Sequence, residues 1–131
     1  MQKTEVKKII LVEDDPAILD IYSTMLKKDK FDVEIMTSGE DTIKYIKSVA
    51  SGEKDKPDLV LLDLILPDIN GIEVFKEIKN NEATKEITVF MLTNQQSSMV
   101  EWPDEQRPEQ FLIKANTSPA QLIQIIEKEL S

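Results

Sequence analysis

Two runs of four apolar residues each stop abruptly at carboxylate: Ile9-Ile10-Leu11-Val12 runs into Glu13-Asp14-Asp15, and Leu59-Val60-Leu61-Leu62 runs into Asp63. A short unbroken apolar run bounded by turn signals reads as a strand buried on both faces, and such strands belong mostly to parallel sheets covered by helices. If the two strands are parallel neighbours, their acidic ends meet at one edge of the sheet. Carboxylates gathered there repel one another and raise each other's pKa unless a cation shares the site, so the pattern points to a bound divalent metal.

The remaining segments alternate around these strands. Asp15-Pro16 sets a helix N-cap followed by proline at the first helical position, where its missing N–H is not needed. Ile18, Leu19, Ile21, Tyr22, Met25 and Leu26 then recur at helical spacing to about Lys28. Phe31 to Ile35 alternates as a half-buried edge strand would. Ser38 with Asp41 resembles a capping box for a second helix, whose buried face is expected at Ile43, Ile46, Val49 and Ala50. Asn70 can cap a third helix that buries Ile72, Phe75 and Ile78. Ile87 to Leu92 makes a strand ending at Thr93, and Phe111-Leu112-Ile113 one ending at Lys114. Ser118-Pro119 repeats the cap-then-proline start, before a terminal helix striped by Leu122, Ile123, Ile125, Ile126 and Leu130.

Five strands alternating with helices predict an α/β fold, a doubly wound parallel sheet with right-handed crossovers and helices on both faces. Ligands of such sheets bind beyond the carboxyl ends of the strands. That places Glu13, Asp14, Asp15, Asp63, Thr93 and Lys114 together. At 131 residues the chain is expected to form a single domain over 1–131.

A net charge of −9 disfavours nucleic acid and anionic membranes as main partners, because both select for basic patches. Cysteine and histidine are absent, which excludes disulfides, thiolate or imidazole metal sites, and Cys or His nucleophiles. Any metal must be held by oxygen. Only four apolar residues follow Met1 to Lys8, too few for a signal peptide or membrane span, so a cytoplasmic location is expected.

The chain resembles the receiver domain of two-component response regulators over nearly its whole length. The matching pieces are Ile10 to Pro16, Asp63 to Gly71 (DLILPDING), Met91-Leu92-Thr93 and Phe111 to Lys114, four matches in order at the ends of successive strands. The resemblance implies a flavodoxin-like strand order 2-1-3-4-5 and a stand-alone phosphoacceptor rather than an enzyme. Asp63 would take a phosphoryl group from a histidine kinase or histidine phosphotransfer protein, and the domain would then switch a face toward an unidentified protein target. It further implies Mg²⁺ bound directly by Asp14, Asp63 and the backbone carbonyl of Ile65, with Glu13 acting through water. Lys114 would contact a phosphoryl oxygen, Thr93 would donate its hydroxyl to another, and Phe111 would turn inward as Thr93 moves.

Each residue also has a plainer reading. Asp15 before Pro16 suits a helix cap better than a metal ligand. Phe111 can be simple core. Asp68 and Asn70-Gly71 suit turn chemistry. Two other functions stay open: a pseudo-receiver that binds partners without phosphorylation, and a Mg²⁺-dependent phosphohydrolase. The latter commonly has a second carboxylate two residues after the nucleophile, where this chain has Ile65.

Two features depart from the family pattern. Ala115 follows Lys114 where proline is usual, which favours a trans peptide. Pro103 and Pro108 break up Asn94 to Gln110, so the helix normally found there is expected to be short or irregular. Residues 95–110, with Trp102 either pinning the loop or exposed, are expected to form the partner-selective face.

Overall fold

The computed structural model describes residues 6–94 and 107–131. Its element order is β1 (Lys8–Val12), α1 (Pro16–Lys28), β2 (Asp32–Met36), α2 (Gly39–Ala50), β3 (Leu59–Asp63), α3 (Gly71–Lys79), β4 (Thr88–Thr93), β5 (Gln110–Ile113), a 3-10 turn (Lys114–Asn116) and α4 (Pro119–Leu130). All five strands are parallel and lie in the order β2-β1-β3-β4-β5.

The three central strands carry side chains alternately into two cores, which is why they read as unbroken apolar runs. Ile10, Val12, Val60, Leu62, Val89 and Met91 face a core closed by Tyr45, Ile46 and Val49 of α2 and Val74, Phe75 and Ile78 of α3. Ile9, Leu11, Leu59, Leu61, Phe90 and Leu92 face the other, closed by Tyr22 and Leu26 of α1 and Leu122 and Ile126 of α4. Burying an aliphatic side chain stabilises by about 1.5–3 kcal/mol. Strands apolar on both faces therefore gain on two sides at once, and that gain holds the register that positions the site.

The caps follow the sequence closely. Asp15 Oδ1 accepts the Ala17 and Ile18 N–H groups, Asn70 Oδ1 accepts that of Ile72, and Ser118 with Gln121 forms a reciprocal capping box. Ser38 Oγ accepts the Asp41 N–H, so α2 has the cap but only that half of the expected box.

The structure sorts the apolar positions of three helices. Ile21, one of the helically spaced residues of α1, is 49% exposed, because the helix turn places Tyr22 and Leu26 over the sheet instead. α2 buries Thr42 and Tyr45 in preference to Ala50, and α3 buries Val74 more completely than Ile72. Thr42 is tolerated inside because its hydroxyl donates to the Ser38 carbonyl at 2.8 Å. The expected short helix and Trp102 fall on 95–106, outside the described residues.

Candidate functional site

Strand register gathers the acidic ends. Val12 lies opposite Leu62, so the chain leaves β1 and β3 with Glu13 and Asp63 side by side. Asp63 pairs with Leu92 and Thr93 with Ile113, which carries Thr93 and Lys114 to the same edge. One carboxylate oxygen each from Glu13, Asp14 and Asp63 lies within 4.8 Å of the others. Lys114 Nζ spans the group, donating to Glu13 Oε1 at 2.6 Å and to Asp63 Oδ2 at 3.2 Å. Glu13 and Asp63 are 2% and 6% exposed, whereas Asp14 stands on the open rim.

These residues, with Ile65 and Asn94, line a cleft of about 170 Å³. Burial, and next the neighbouring Glu13 carboxylate, push the Asp63 carboxyl up to about 6, although Lys114 and the Ile65 N–H favour its charged form. Burial opposes the charge on Lys114, but its hydrogen bond to Glu13 and the attraction of Asp63 outweigh it and hold its pKa above the usual value. Electrostatically, one lysine answers two buried carboxylates, and Asp14 adds a third carboxylate at the rim. The donor set is all oxygen, anionic and open on one side, which suits a hard cation that keeps part of its water shell, as Mg²⁺ does.

The loop after β3 is built to aim this group. Ile65 N–H donates to Asp63 Oδ1 at 3.2 Å, turning the chain back over the carboxylate. Leu64 and Leu66 anchor in the core while Ile65 between them stays exposed at the cleft. Gly71 closes the loop with its N–H on the Leu64 carbonyl at 2.7 Å. A Cβ there would collide with the Asp63 carbonyl oxygen and lie 2.8 Å from Leu64 Cα. Sequence alone predicts only turn chemistry for Gly71; its packing against Asp63 depends on which helix meets which strand. Asp68 is corrected in the same way. Its Oδ1 accepts the Gly39 N–H at 2.9 Å and its Oδ2 the Glu40 N–H at 2.8 Å, so it caps α2 across the fold.

Thr93 is fully buried at the end of β4, and Phe111 is half-buried against the α2–α3 core. Asp15 serves as the α1 cap, and its own N–H donates to Glu13 Oε2 at 3.1 Å. The Lys114–Ala115 peptide is trans, as expected without proline, and Lys114 opens the 3-10 turn. A wider groove of about 580 Å³ adjoins the cleft and shares Ile18, Asn94 and Lys114 with it; Ile21 and Tyr22 of α1 face Pro119 across it. Helical spacing alone does not place Tyr22 or Ile21 near the site, since it marks them only as apolar positions of α1.

The raised Asp63 pKa makes a stability prediction. An unfolded aspartate titrates near 3.9, so the folded metal-free chain binds more protons between about pH 4 and 6. The group therefore destabilises the fold fully above about pH 6, and that penalty fades as pH falls toward 4. Asp63→Asn is expected to raise metal-free stability at pH 7.5 by about 1–2 kcal/mol, after discounting for solvent screening, and to match wild type at pH 4. Urea melts at both pH values test it; a variant less stable at pH 7.5 contradicts the assigned electrostatics.

The family model for the response regulator receiver domain matches residues 9–127. The DNA-binding dual master transcriptional regulator RpaA of Synechocystis sp. is 37% identical over 86 residues, 66% of this chain and 33% of that protein. The matched stretch covers about a third of the length of these curated relatives. Among solved structures, the phosphorylated cyanobacterial phytochrome response regulator RcpA superposes with a TM-score of 0.75 at 28% identity, covering 95% of this chain and 91% of that one. The receiver domain of the sensor histidine kinase PA1611 from Pseudomonas aeruginosa PAO1, which has magnesium in its active-site cleft, shares the fold. Its TM-score is 0.80 at 22% identity, covering 96% of this chain and 98% of that one.

Proposed function

This chain belongs to the response regulator receiver domain family of two-component systems, and from that premise we propose that it is a single receiver domain whose Asp63 accepts a phosphoryl group in the cytoplasm. The donor in this reading is a phosphohistidine on a histidine kinase or phosphotransfer protein. An Asp63 carboxylate oxygen attacks phosphorus, the P–N bond to the imidazole breaks as the new P–O bond forms, and the leaving imidazole takes up a proton. The chain has no histidine, so the donor is another protein or domain.

One observation carries this reading: a buried carboxylate faces an open acidic cleft and shares a single lysine with a second buried carboxylate. Asp14, Asp63 and the Ile65 carbonyl would hold Mg²⁺ directly, and Glu13 through water. The bound ion would neutralise charge on the phosphoryl oxygens. Lys114, already a donor to Asp63, would turn its ammonium to a phosphoryl oxygen once that carboxylate is esterified. Thr93 would donate its hydroxyl to another, drawing the β4 end toward the cleft and letting Phe111 pack further inward. The product is a two-state switch biased by one covalent group, not turnover of an external substrate.

The output we propose is a protein contact. RpaA is named a DNA-binding regulator, but it is about twice the length of this chain, and a net charge of −9 gives this part no basic footprint for nucleic acid. Ile65 occupies the position where a phosphohydrolase would want its second carboxylate, which supports signalling over hydrolysis.

The test is intact mass after incubation with Mg²⁺ and a small acyl phosphate. A gain of one phosphoryl group is expected, absent without Mg²⁺ and absent in Asp63→Asn. No gain under rapid quenching would make the chain a pseudo-receiver, and repeated turnover of phosphoesters would make it a hydrolase.

A further inference from the structure

We propose that Asp68 is a positioning residue for the cation-binding loop, fastening the segment that carries Asp63 and the Ile65 carbonyl to the N-terminus of α2. This rests on the reading of Asp63 and Ile65 given above and adds a residue to which that reading assigns no part.

The first turn of a helix leaves its N–H groups without intrahelical partners. In α2 these are divided between two side chains: Asp68 takes Gly39 and Glu40, and Ser38 Oγ takes Asp41. Ser38 is a local cap. Asp68 comes from 28 and 29 residues away, on the loop between β3 and α3. Both of its oxygens are engaged, so the side chain is fixed in orientation as well as place.

A second contact works beside the first. Ile69 packs so closely on Gly39 that a Cβ at that position would collide with Ile69 Cγ1 and lie 2.8 Å from its Cδ1. Polar and apolar contacts thus clamp residues 68–69 to the same helix end. On the loop's near side, Leu64 and Leu66 are sunk in the core and Gly71 is pressed on the Asp63 backbone. Between these fixed points Ile65 is the exposed residue that faces the cleft. With its far end anchored, the loop presents the Ile65 carbonyl at one depth. Freed at Asp68, its far end would lose the polar tie to α2 and keep the Ile69 contact and Gly71, and the ligands would have to be ordered further when the ion binds.

The helix N-terminus also favours a negative partner. The N–H groups of Glu40 and then Gly39 hold the Asp68 carboxyl below its ordinary range, so it stays ionised wherever the site works.

The experiment compares Mn²⁺ affinity and phosphorylation by a small acyl phosphate in wild type, Asp68→Ala, Asp68→Asn and Ser38→Ala. Asp68→Ala is expected to weaken Mn²⁺ binding roughly tenfold, as loss of a ligand-orienting contact typically does. Its phosphorylation rate should fall at low Mg²⁺ and recover toward wild type at saturating Mg²⁺. Asp68→Asn keeps one acceptor oxygen and should fall between the two. Ser38→Ala removes a bond from the same helix end without touching the loop, so it should lower the melting temperature yet bind Mn²⁺ as wild type does.

Wild-type affinity in Asp68→Ala would overturn the proposal. So would an equal loss in Ser38→Ala, which would show that any loosening of α2 has the effect. If wild type itself neither binds Mn²⁺ nor gains a phosphoryl group, the function proposed above fails and takes this inference with it.

Discussion

Gly71→Ala is expected to destabilise the fold by about 2–4 kcal/mol, a fall in melting temperature of roughly 10 °C for a chain of this size. The sign is the informative part. Replacing glycine by alanine in a helix ordinarily stabilises by about 0.4–1 kcal/mol through the unfolded chain and helix propensity. Here the added methyl would meet the Asp63 carbonyl oxygen and the Leu64 backbone. No rotamer change relieves a clash with backbone, so either α3 lifts from the sheet or the end of β3 bends. Both routes disturb Asp63, and phosphorylation should slow alongside the loss of stability. Thermal and urea melts check the first effect and intact mass the second; a variant as stable as wild type would mean that α3 does not sit this tightly on β3.

Lys114→Met is the other large effect. It keeps the side chain's bulk and removes the one cation that, among the described residues, bonds both Glu13 and Asp63. Breaking a buried ion pair by deleting one partner costs about 3–5 kcal/mol, because the remaining charge is stranded. Asp63 has an escape, since its carboxyl is already raised to about 6 and would rise further without the lysine. We therefore expect a loss of about 2–3 kcal/mol at pH 8, where Asp63 is charged, and a smaller loss at pH 5, where it takes a proton. The sign follows from the folded state binding more protons than the unfolded one across that interval. Mg²⁺ should restore part of the stability at pH 8 by replacing the lost positive charge. Urea melts at the two pH values, with and without Mg²⁺, decide it; an equal loss at both would show that the Lys114 contacts are not the source.

The parts of the site legible in sequence are those set by strand ends. Asp63 and Glu13 could be placed because an apolar run that stops at a carboxylate marks both a strand and its terminus. Lys114 and Thr93 followed from the same pattern in later strands. Asp15, Ser38, Asn70 and Ser118 were legible as caps because capping is decided within three residues of chain. Asp68 was not, although it too is a cap, since its helix begins 29 residues earlier. Gly71 was read as turn chemistry for a similar reason: a glycine required by close approach looks no different in sequence from one required by a turn. The buried face of α1 was not legible, because a run as apolar as Ile18-Leu19-Ile21-Tyr22 matches several helix faces. Only the docking of α1 on β1 and α4 selects Tyr22 and Leu26.

The sequence by itself determined the number of strands and their alternation with helices, the doubly wound class, and the chemistry available at the carboxyl edge, since periodicity, caps and strand termini are local and each residue type carries its own chemistry. Tertiary structure alone decided how that chemistry is tuned. The burial that raises Asp63, the sharing of Lys114 between two carboxylates, the closeness of Gly71 to β3 and the tie from Asp68 to α2 all arise between elements distant in the chain. Desolvation and Coulomb forces depend on separation in space, and separation along the sequence does not report it.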